Sequence, residues 1–508
     1  MLPLAITGNV LEGFGENGRP IWHDGMVVEE GRVIYLGPYA VEKAGPGAKV
    51  IDLEERVVLP GFTDAHAHLA SLGESLSWLD LKNIESIEEL KKVVAAKALE
   101  LGPEKWVLGR GWDQEKFKEE RWPTRWDLDA VAPRNPVFLI RICGHAAVAN
   151  TAALSLAGIS NSTPDPPGGV IEKISGKVTG VLKEHAVQLI ASMVKHGSVK
   201  DSVTEAVREL VSRGVTCVHA MSVSLEELHT LQELASEGSL RIKVRAYIEP
   251  SILTGSLKLQ GDELLKVTGV KVFVDGSFGA RTAALSEPYD DDPSNSGVLL
   301  MTRRELVDTL KRVKAAGFQL AAHAIGDRAL EEVIEAVKLE NGPLRVEHAS
   351  LAPPDLRREL AELKLSVCAQ PHFIISDWWI VSRLGFSKCQ WVYPFKSLLS
   401  EGIPLAFSSD APVEPCNPWE GIYAAVTRGA YEKLNIASIT AAEALTVEEA
   451  MRVYIGGNAV MTGEKSGKLS IGYPADFIIV DRDPFRVPEP MLRKVHVLAT
   501  YLNGVQVW

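Results

Sequence analysis

Cysteine is scarce and unpaired in this sequence. Cys143, Cys217, Cys368, Cys389 and Cys416 are five scattered residues in 508, odd in number and without a CxxC pair. That pattern excludes a disulfide framework and a thiolate zinc site, and it fits a reducing cytoplasm. Positive charge is in short supply as well. With 54 Lys and Arg against 66 Asp and Glu the formal charge is −12, so the basic footprint that a phosphate backbone requires is missing and nucleic acid is not an expected partner. No apolar run reaches membrane length, and the opening Met1-Leu-Pro-Leu-Ala-Ile6 lacks the basic start and apolar core of a secretory leader, so no membrane partner is expected either. No GxGxxG opens a helix after a strand, which argues against a nucleotide cofactor, and no GxSxG elbow supports a serine nucleophile. Tandem repeats and low-complexity tracts are absent.

What is present reads as an ordered chain. Hydrophobic residues make up 46% and charged residues 24%, which is enough apolar material to bury a substantial core. The length exceeds one ordinary domain, yet a decorated barrel absorbs most of it, so one large domain with a smaller satellite is expected.

Both ends of the chain read as sheet. Up to about Leu53, short β-rich runs such as Gly25 to Gly31 and Arg32 to Gly37 alternate with turns, and similar runs return at Gly467 to Asp481 and Val495 to Val507. The two ends are expected to pair. Between them, helix and strand alternate. Asp201 to Arg213 sets Val203, Val207, Leu210 and Val211 on one helical face, stops at Gly214 and runs into the strand Val215 to His219. Ser224 with Glu227, and Thr302 with Glu305, are capping-box pairs opening helices that end near Gly238 and Gly317. Such alternation implies a parallel sheet.

The most telling stretch is Gly61-Phe-Thr-Asp-Ala-His-Ala-His-Leu69, directly behind the apolar run Val57 to Pro60. Residues i and i+2 of a strand share a face, so His66 and His68 offer two imidazoles to one cation. Later strand-like runs also end in metal-ligand residue types: Gly269 to Asp275, Phe318 to His323, Leu344 to His348 and Pro404 to Asp410. Polar ligands at the carboxyl ends of successive strands are what a metal site in a β/α barrel requires. Imidazole and carboxylate together suit a divalent cation, zinc first, with manganese, nickel or iron where carboxylates bridge. Counting back from Asp410 on an eighth strand, Ser366 to Pro371 is the seventh, Arg345 to His348 the sixth and Gln319 to His323 the fifth. Lys271 falls on the fourth, Lys243 to Tyr247 on the third and Val215 to His219 on the second. Residues from about Ala70 to Lys200 then separate strands 1 and 2, far more than a βα connection needs. An inserted subdomain is expected there, with its own strands at Lys105 to Arg110 and Pro136 to Arg141, walling or capping the face where a substrate would sit.

In these residues and in their order the chain resembles the amidohydrolase superfamily of metal-dependent hydrolases, from Val57 to the C-terminus. The resemblance implies an α/β fold: a distorted (β/α)8 TIM barrel with a β-sandwich built from both termini and an insertion after barrel strand 1. Residues 1–58 and 456–508 would form the sandwich and 59–455 the barrel, with 70–200 inserted. The pattern from Gly467 to Asp481 is typical of that sandwich. The implied ligands are His66 and His68, a carboxylated Lys271 that bridges two ions, His323, His348 and Asp410. Asp410 is also the implied general base, taking a proton from the attacking water and passing it to the leaving group. The motifs Gly-Trp-Asp at Trp112, Gly-His-Ala-Ala at His145, Val-Asp-Gly-Ser-Phe-Gly-Ala-Arg ending at Arg281, and Ala-Gln-Pro-His-Phe at His372 look like the branch that includes N-substituted formamide deformylase. The implied reaction is hydrolysis of a non-peptide C–N bond in a small N-acyl, formyl or cyclic amide. Hydrolysis of an ester, lactone or phosphotriester, and a catalytically silent binding or assembly barrel, are the alternatives. A homo-oligomer stays open.

Several residues keep two readings. Lys271 lies in an apolar strand where an ammonium is costly to bury; either it pairs with Asp275 or it carries the carbamate. Glu184 is the reserve carboxylate, and without a bridging carbamate one ion suffices. His145 either contacts a substrate carbonyl or is structural in the insertion, and Arg281 either holds a polar substrate end or locks the Asp275 loop. Trp112, His372, Trp378 and Trp379 follow strand-like runs and either line a pocket or pack.

Overall fold

The computed structural model describes residues 2–194, 198–253 and 263–508. At its centre eight parallel strands stand side by side: β1 (Phe62–Ala67), β2 (Val215–Val223), β3 (Lys243–Ile248), β4 (Leu265–Phe273), β5 (Gln319–Ala324), β6 (Leu344–His348), β7 (Ser366–Ala369) and β8 (Leu405–Phe407). Each pairs in parallel with the next. The circle is completed just beyond β8, where Ala67 bridges Ala411 in parallel. β1, β3 and β6 are buried at every position, as expected of strands covered by a barrel interior on one side and by helices on the other. The strand count made from sequence therefore holds at all eight positions.

The helical layer follows from the amphipathic segments. Helix Val199–Ser212 buries Val203, Ala206, Val207, Leu210 and Val211, the i, i+3, i+4 stripe of a helix lying on a sheet. Ser224 accepts a hydrogen bond from the Glu227 N–H at the start of helix Leu225–Ser236, and Thr302 forms a reciprocal capping box with Glu305 at helix Arg303–Ala315. Helix Leu69–Leu76 packs on helix Val199–Ser212 so closely that a Cβ at Gly73 would sit 1.7 Å from the Ser202 carbonyl oxygen, a contact open only to glycine. Both flanks of the long segment after β1 thus belong to the helical layer. Between them lies a six-stranded sheet, from Leu79–Asp80 to Lys177–Glu184, with an apolar core on each face.

The chain termini form one seven-stranded mixed sheet in which Phe477–Val480 pairs with Lys49–Pro60. The two layers of the expected sandwich come from this single sheet rolled on itself. Val33 N–H donates to the Tyr473 carbonyl (3.0 Å) and Ala475 N–H to that of Gly31 (2.9 Å), joining the edge strand Arg32–Leu36 to the segment that leads into Phe477–Val480 around Leu4, Ile6, Val28, Phe477 and Tyr501. Among the described residues no helix is long and apolar enough to cross a membrane.

Candidate metal centre and its cavity

The seam where the barrel closes places the first three functional side chains. Asp410 N–H donates to the His66 carbonyl and His68 N–H to the Ala411 carbonyl, both at 2.8 Å. The buried Asp64 carboxylate ties the same two segments, accepting from the backbone N–H groups of His66 (3.3 Å) and Ser409 (3.0 Å) and from the Ser409 hydroxyl. Burial lifts Asp64 to about 6 against the pull of these hydrogen bonds. Zipped in this way, Asp410 Oδ1 lies 3.2 Å from His66 Nε2 and 3.3 Å from His68 Nε2. Asp410 and His348 hold left-handed backbone, φ 57° and 75°, a strain of about 1–3 kcal/mol each that clusters at functional sites.

His66 is oriented from beneath. Its Nδ1 lies 2.5 Å from Glu347 Oε2, and Glu347 is clamped by the Arg345 guanidinium two residues back on the same face of β6. Burial alone would raise Glu347; Arg345 and His66 outweigh it and hold the carboxyl well below its ordinary range. A carboxylate can only accept, so the Nδ1–H donates to Glu347 and leaves Nε2 facing Asp410 Oδ1. The 3.2 Å spacing suits either a proton on Nε2 shared with Asp410 or a divalent cation held by both atoms. The ligand atoms of His66, His68 and Asp410 all lie within 4.8 Å of one another, and two imidazole nitrogens with one carboxylate are a donor set suited to a divalent ion.

The remaining predicted ligands line the same cavity beside these three, with His323 Nε2 3.0 Å from the Gly276 carbonyl oxygen. Lys271 Nζ is 3.5 Å from His66 Nε2 and 4.7 Å from the centre of the Phe273 ring. The rings of His66 and His348 are 5.1 Å apart and those of His323 and His348 4.4 Å. Burial, then the neighbouring cations, holds His323 well below its ordinary range and His348 at about 3, so both rings are neutral at neutral pH. Burial also lowers Lys271 to about 8, with Glu347 and Asp410 pulling the other way.

These groups open into a cavity of about 640 Å³. The insertion builds one wall, with Arg110, Phe138, Ile140, Cys143 and His145 on it, as expected from its point of departure. A side compartment of about 40 Å³, bounded by Ser277, Phe278, Gly279 and Tyr393, shares Cys143, His145, His323, Asp410 and Val413 with the large one. His145 stands between them, its Nδ1 2.8 Å from Glu184 Oε2. Burial pushes this imidazole down, but the Glu184 carboxylate outweighs it and lifts His145 to about 9.

Other expectations need correction. Trp112 does not line the cavity: it is fully buried in the insertion core, donating its indole N–H to the Leu139 carbonyl at 2.8 Å. Arg281 does not face the cavity; it forms a two-bonded pair with Asp291 at 3.1 and 2.8 Å, which anchors the end of the Asp275 loop, the second of its two readings. His372 is drawn aside by Glu414 and, like Trp378 and Trp379, borders neither compartment. Asp275 is not the partner of Lys271, because its carboxylate accepts the N–H groups of Ala284, Ile325 and Gly326 at 2.9–3.0 Å. Glu184 is engaged by His145 and by the Thr282 hydroxyl at 2.6 Å. Residues that sequence reasoning passed over include Glu347 and Arg345 beneath His66, Asp64 at the seam, and Gln370, whose Oε1 is 2.7 Å from His348 Nδ1. The signal for the first pair was legible, since Arg345 and Glu347 alternate on one face of a strand that ends in His348.

Fold and site together define a β/α barrel with a polar centre at the carboxyl ends of its strands. The amidohydrolase family profile matches residues 49–508, so the chain belongs to that family. The Bacillus subtilis (strain 168) protein YtcJ, named as an amidohydrolase, is 34% identical over 96% of this chain and 99% of its own length. N-substituted formamide deformylase of Arthrobacter pascens is 29% identical over 94% of each chain. A crystal structure titled as an uncharacterized metal-dependent hydrolase, from Pyrococcus horikoshii OT3, is 38% identical and superposes with a TM-score of 0.81, covering 96% of this chain and 99% of that one.

Proposed function

We propose that this protein is a metal-dependent hydrolase of a non-peptide C–N bond, acting on a small N-substituted amide with a short acyl group. The observation that carries the reading is the approach of one Asp410 oxygen to within 3.2 and 3.3 Å of His66 and His68 Nε2, with Lys271 Nζ beside the same nitrogen. His66, His68, Lys271, His323, His348 and Asp410 would hold the metal, zinc before other divalent ions. Burial that leaves Lys271 near 8 favours the free amine that adds carbon dioxide, giving an anionic carbamate with loss of a proton; two ions would then be bridged, and one suffices without it. A bound divalent cation lowers the pKa of the water beside it and polarises a carbonyl oxygen.

The chain's own groups supply the rest. Asp410 takes the proton of the attacking water and returns it to the leaving nitrogen. His145, held as imidazolium by Glu184, donates to the carbonyl oxygen as negative charge grows there. The 40 Å³ compartment admits a formyl or similarly small acyl group, while the 640 Å³ cavity with Phe138, Ile140, Val187 and Leu300 takes the nitrogen substituent. The formamide deformylase likeness supports the same division.

A hydrolysis panel tests this: N-alkyl and N-benzyl formamides, the matching acetamides and benzamides, cyclic amides, and the corresponding esters and lactones. Formamides are expected to lead, acetamides to follow and benzamides to fail. Turnover of esters and lactones without amides would overturn the C–N assignment.

A further inference from the structure

We propose that Arg110 is the anion-reading residue of this cavity and that the substrate carries a carboxylate on its nitrogen substituent, an inference that rests on the hydrolase reading above and narrows its substrate class.

Among the described residues the fully buried arginines each hold at least one carboxylate or carbonyl acceptor, Arg141 included, which binds Gln114 and Asp113 and leaves only Nη1 unpartnered. Arg345 donates to Glu347 and the Ala65 carbonyl, Arg383 to Asp291, Glu115 and two carbonyls, Arg245 to Glu464, and Arg428 to Thr440 and two carbonyls. Arg110 differs. It sits on the insertion strand Val107–Trp112 and lines the large cavity; its Nε is shielded from solvent without an acceptor, and no protein oxygen accepts from its terminal nitrogens among the described residues. Asp410 attracts it only at longer range, that carboxylate already lying against His66 and His68. A guanidinium stays charged when partly buried, and a planar fork without a partner in a cavity matches a carboxylate in two-bonded geometry.

Local backbone prepares this position. A bulge between Arg110 and Trp112, with Gly111 at φ 104°, breaks the strand alternation so that Trp112 turns into the core while Arg110 faces the cavity. Gly144, at φ 76°, leaves room beside the fork, since a Cβ there would meet Arg110 Nη2 at 3.1 Å. The cavity is also electrostatically two-ended. Glu227 is raised by burial and by its neighbours Glu74 and Glu249, while the groups felt by Arg110 are Asp410, Cys143 and Glu414. An anion is therefore disfavoured beside Glu227, Glu74 and Glu249 and meets an unpartnered fork at Arg110, and the apolar lining between takes a hydrocarbon body.

The test pairs N-formylphenylalanine with its neutral carboxamide in wild-type metal-loaded enzyme and in Arg110→Gln and Arg110→Lys. The ratio of kcat/KM for acid over carboxamide is expected at roughly 10 to 100 in the wild type, near 1 in Arg110→Gln and intermediate in Arg110→Lys, which keeps the charge but loses the fork. A wild-type ratio near 1, or a ratio that survives in Arg110→Gln, overturns the proposal. Calorimetric binding of phenylacetate and phenylacetamide to the same proteins separates this from the reading it rests on. If neither formyl compound is hydrolysed but phenylacetate binds at least tenfold more weakly to Arg110→Gln, the formyl-group reading fails and the Arg110 assignment stands. Equal phenylacetate binding by wild type and Arg110→Gln overturns the assignment.

Discussion

Strand β4 carries two lysines in opposite circumstances. Lys266, near its amino end, is half-buried and reaches Glu464 at 2.8 Å, joining Arg245 on the same carboxylate, while nearby Lys243 holds Asp476 at 2.6 Å. Lys271, further along, is buried, with an imidazole nitrogen at 3.5 Å and a phenyl ring below, and Asp275, the carboxylate nearest in sequence, is turned away to backbone N–H groups. The floor of the barrel neutralises its charges internally and contributes stability; the carboxyl end leaves an amine, imidazole lone pairs and a guanidinium open toward one cavity. Charge satisfaction, more than burial, separates the structural end from the chemical one.

That contrast can be broken at several points. Asp410→Asn is expected to lower kcat by about 10²–10⁴-fold with the thermal midpoint retained, and steady-state kinetics beside a melt would show it. Lys271→Ala should fall by a comparable factor and, on the carbamate reading proposed above, recover in part with added formate or acetate; Lys266→Ala assayed in parallel should stay within about twofold, and a similar loss in both would erase the distinction between the two lysines. Glu347→Ala removes the acceptor behind His66 Nδ1–H, so metal affinity should drop by about 10–100-fold in a competitive chelator titration. Glu464→Gln should cost about 1–2 kcal/mol of unfolding free energy at neutral pH. Burial would raise Glu464, but hydrogen bonds from Arg245 and Lys266 outweigh it and set the carboxyl at about 2 against an ordinary 4.5. Its contribution is therefore complete above about 4.5 and is lost as pH falls through about 2, and denaturant melts at stepped pH should show the variant and wild type converging only at the acid end. The smallest effect belongs to Arg281→Ala, a part-exposed ion pair away from both compartments, expected to change stability by about 0.5 kcal/mol or less and activity not measurably.

Much of this was legible in the sequence because barrel strands write their ligands in order. His66 and His68 sit two apart at a strand end, and His323, His348 and Asp410 each close an apolar run, so strand counting alone placed them at one rim. Residues whose direction depends on a local irregularity were not legible. Trp112 follows a strand toward the cavity and looks like a lining residue, but the bulge at Gly111 turns it into the core and leaves Arg110 facing the cavity instead. Arg281 lies one turn beyond Asp275 in sequence, yet Asp291 captures it from a loop whose path periodicity does not describe. His372 is removed by Glu414, a partner forty-two positions along the chain. The rolling of the terminal sheet was equally silent, since pairing between Gly31 and Ala475 leaves no trace in either segment alone.

Elemental analysis of the purified wild-type chain beside a His66→Asn, His68→Asn double variant tests the central claim most directly. The account predicts one or two equivalents of a divalent metal per wild-type chain, removable by chelator together with activity and restored with it, and an empty variant that still melts cooperatively. Active wild-type protein without stoichiometric metal, or equal metal in wild type and variant, would contradict it.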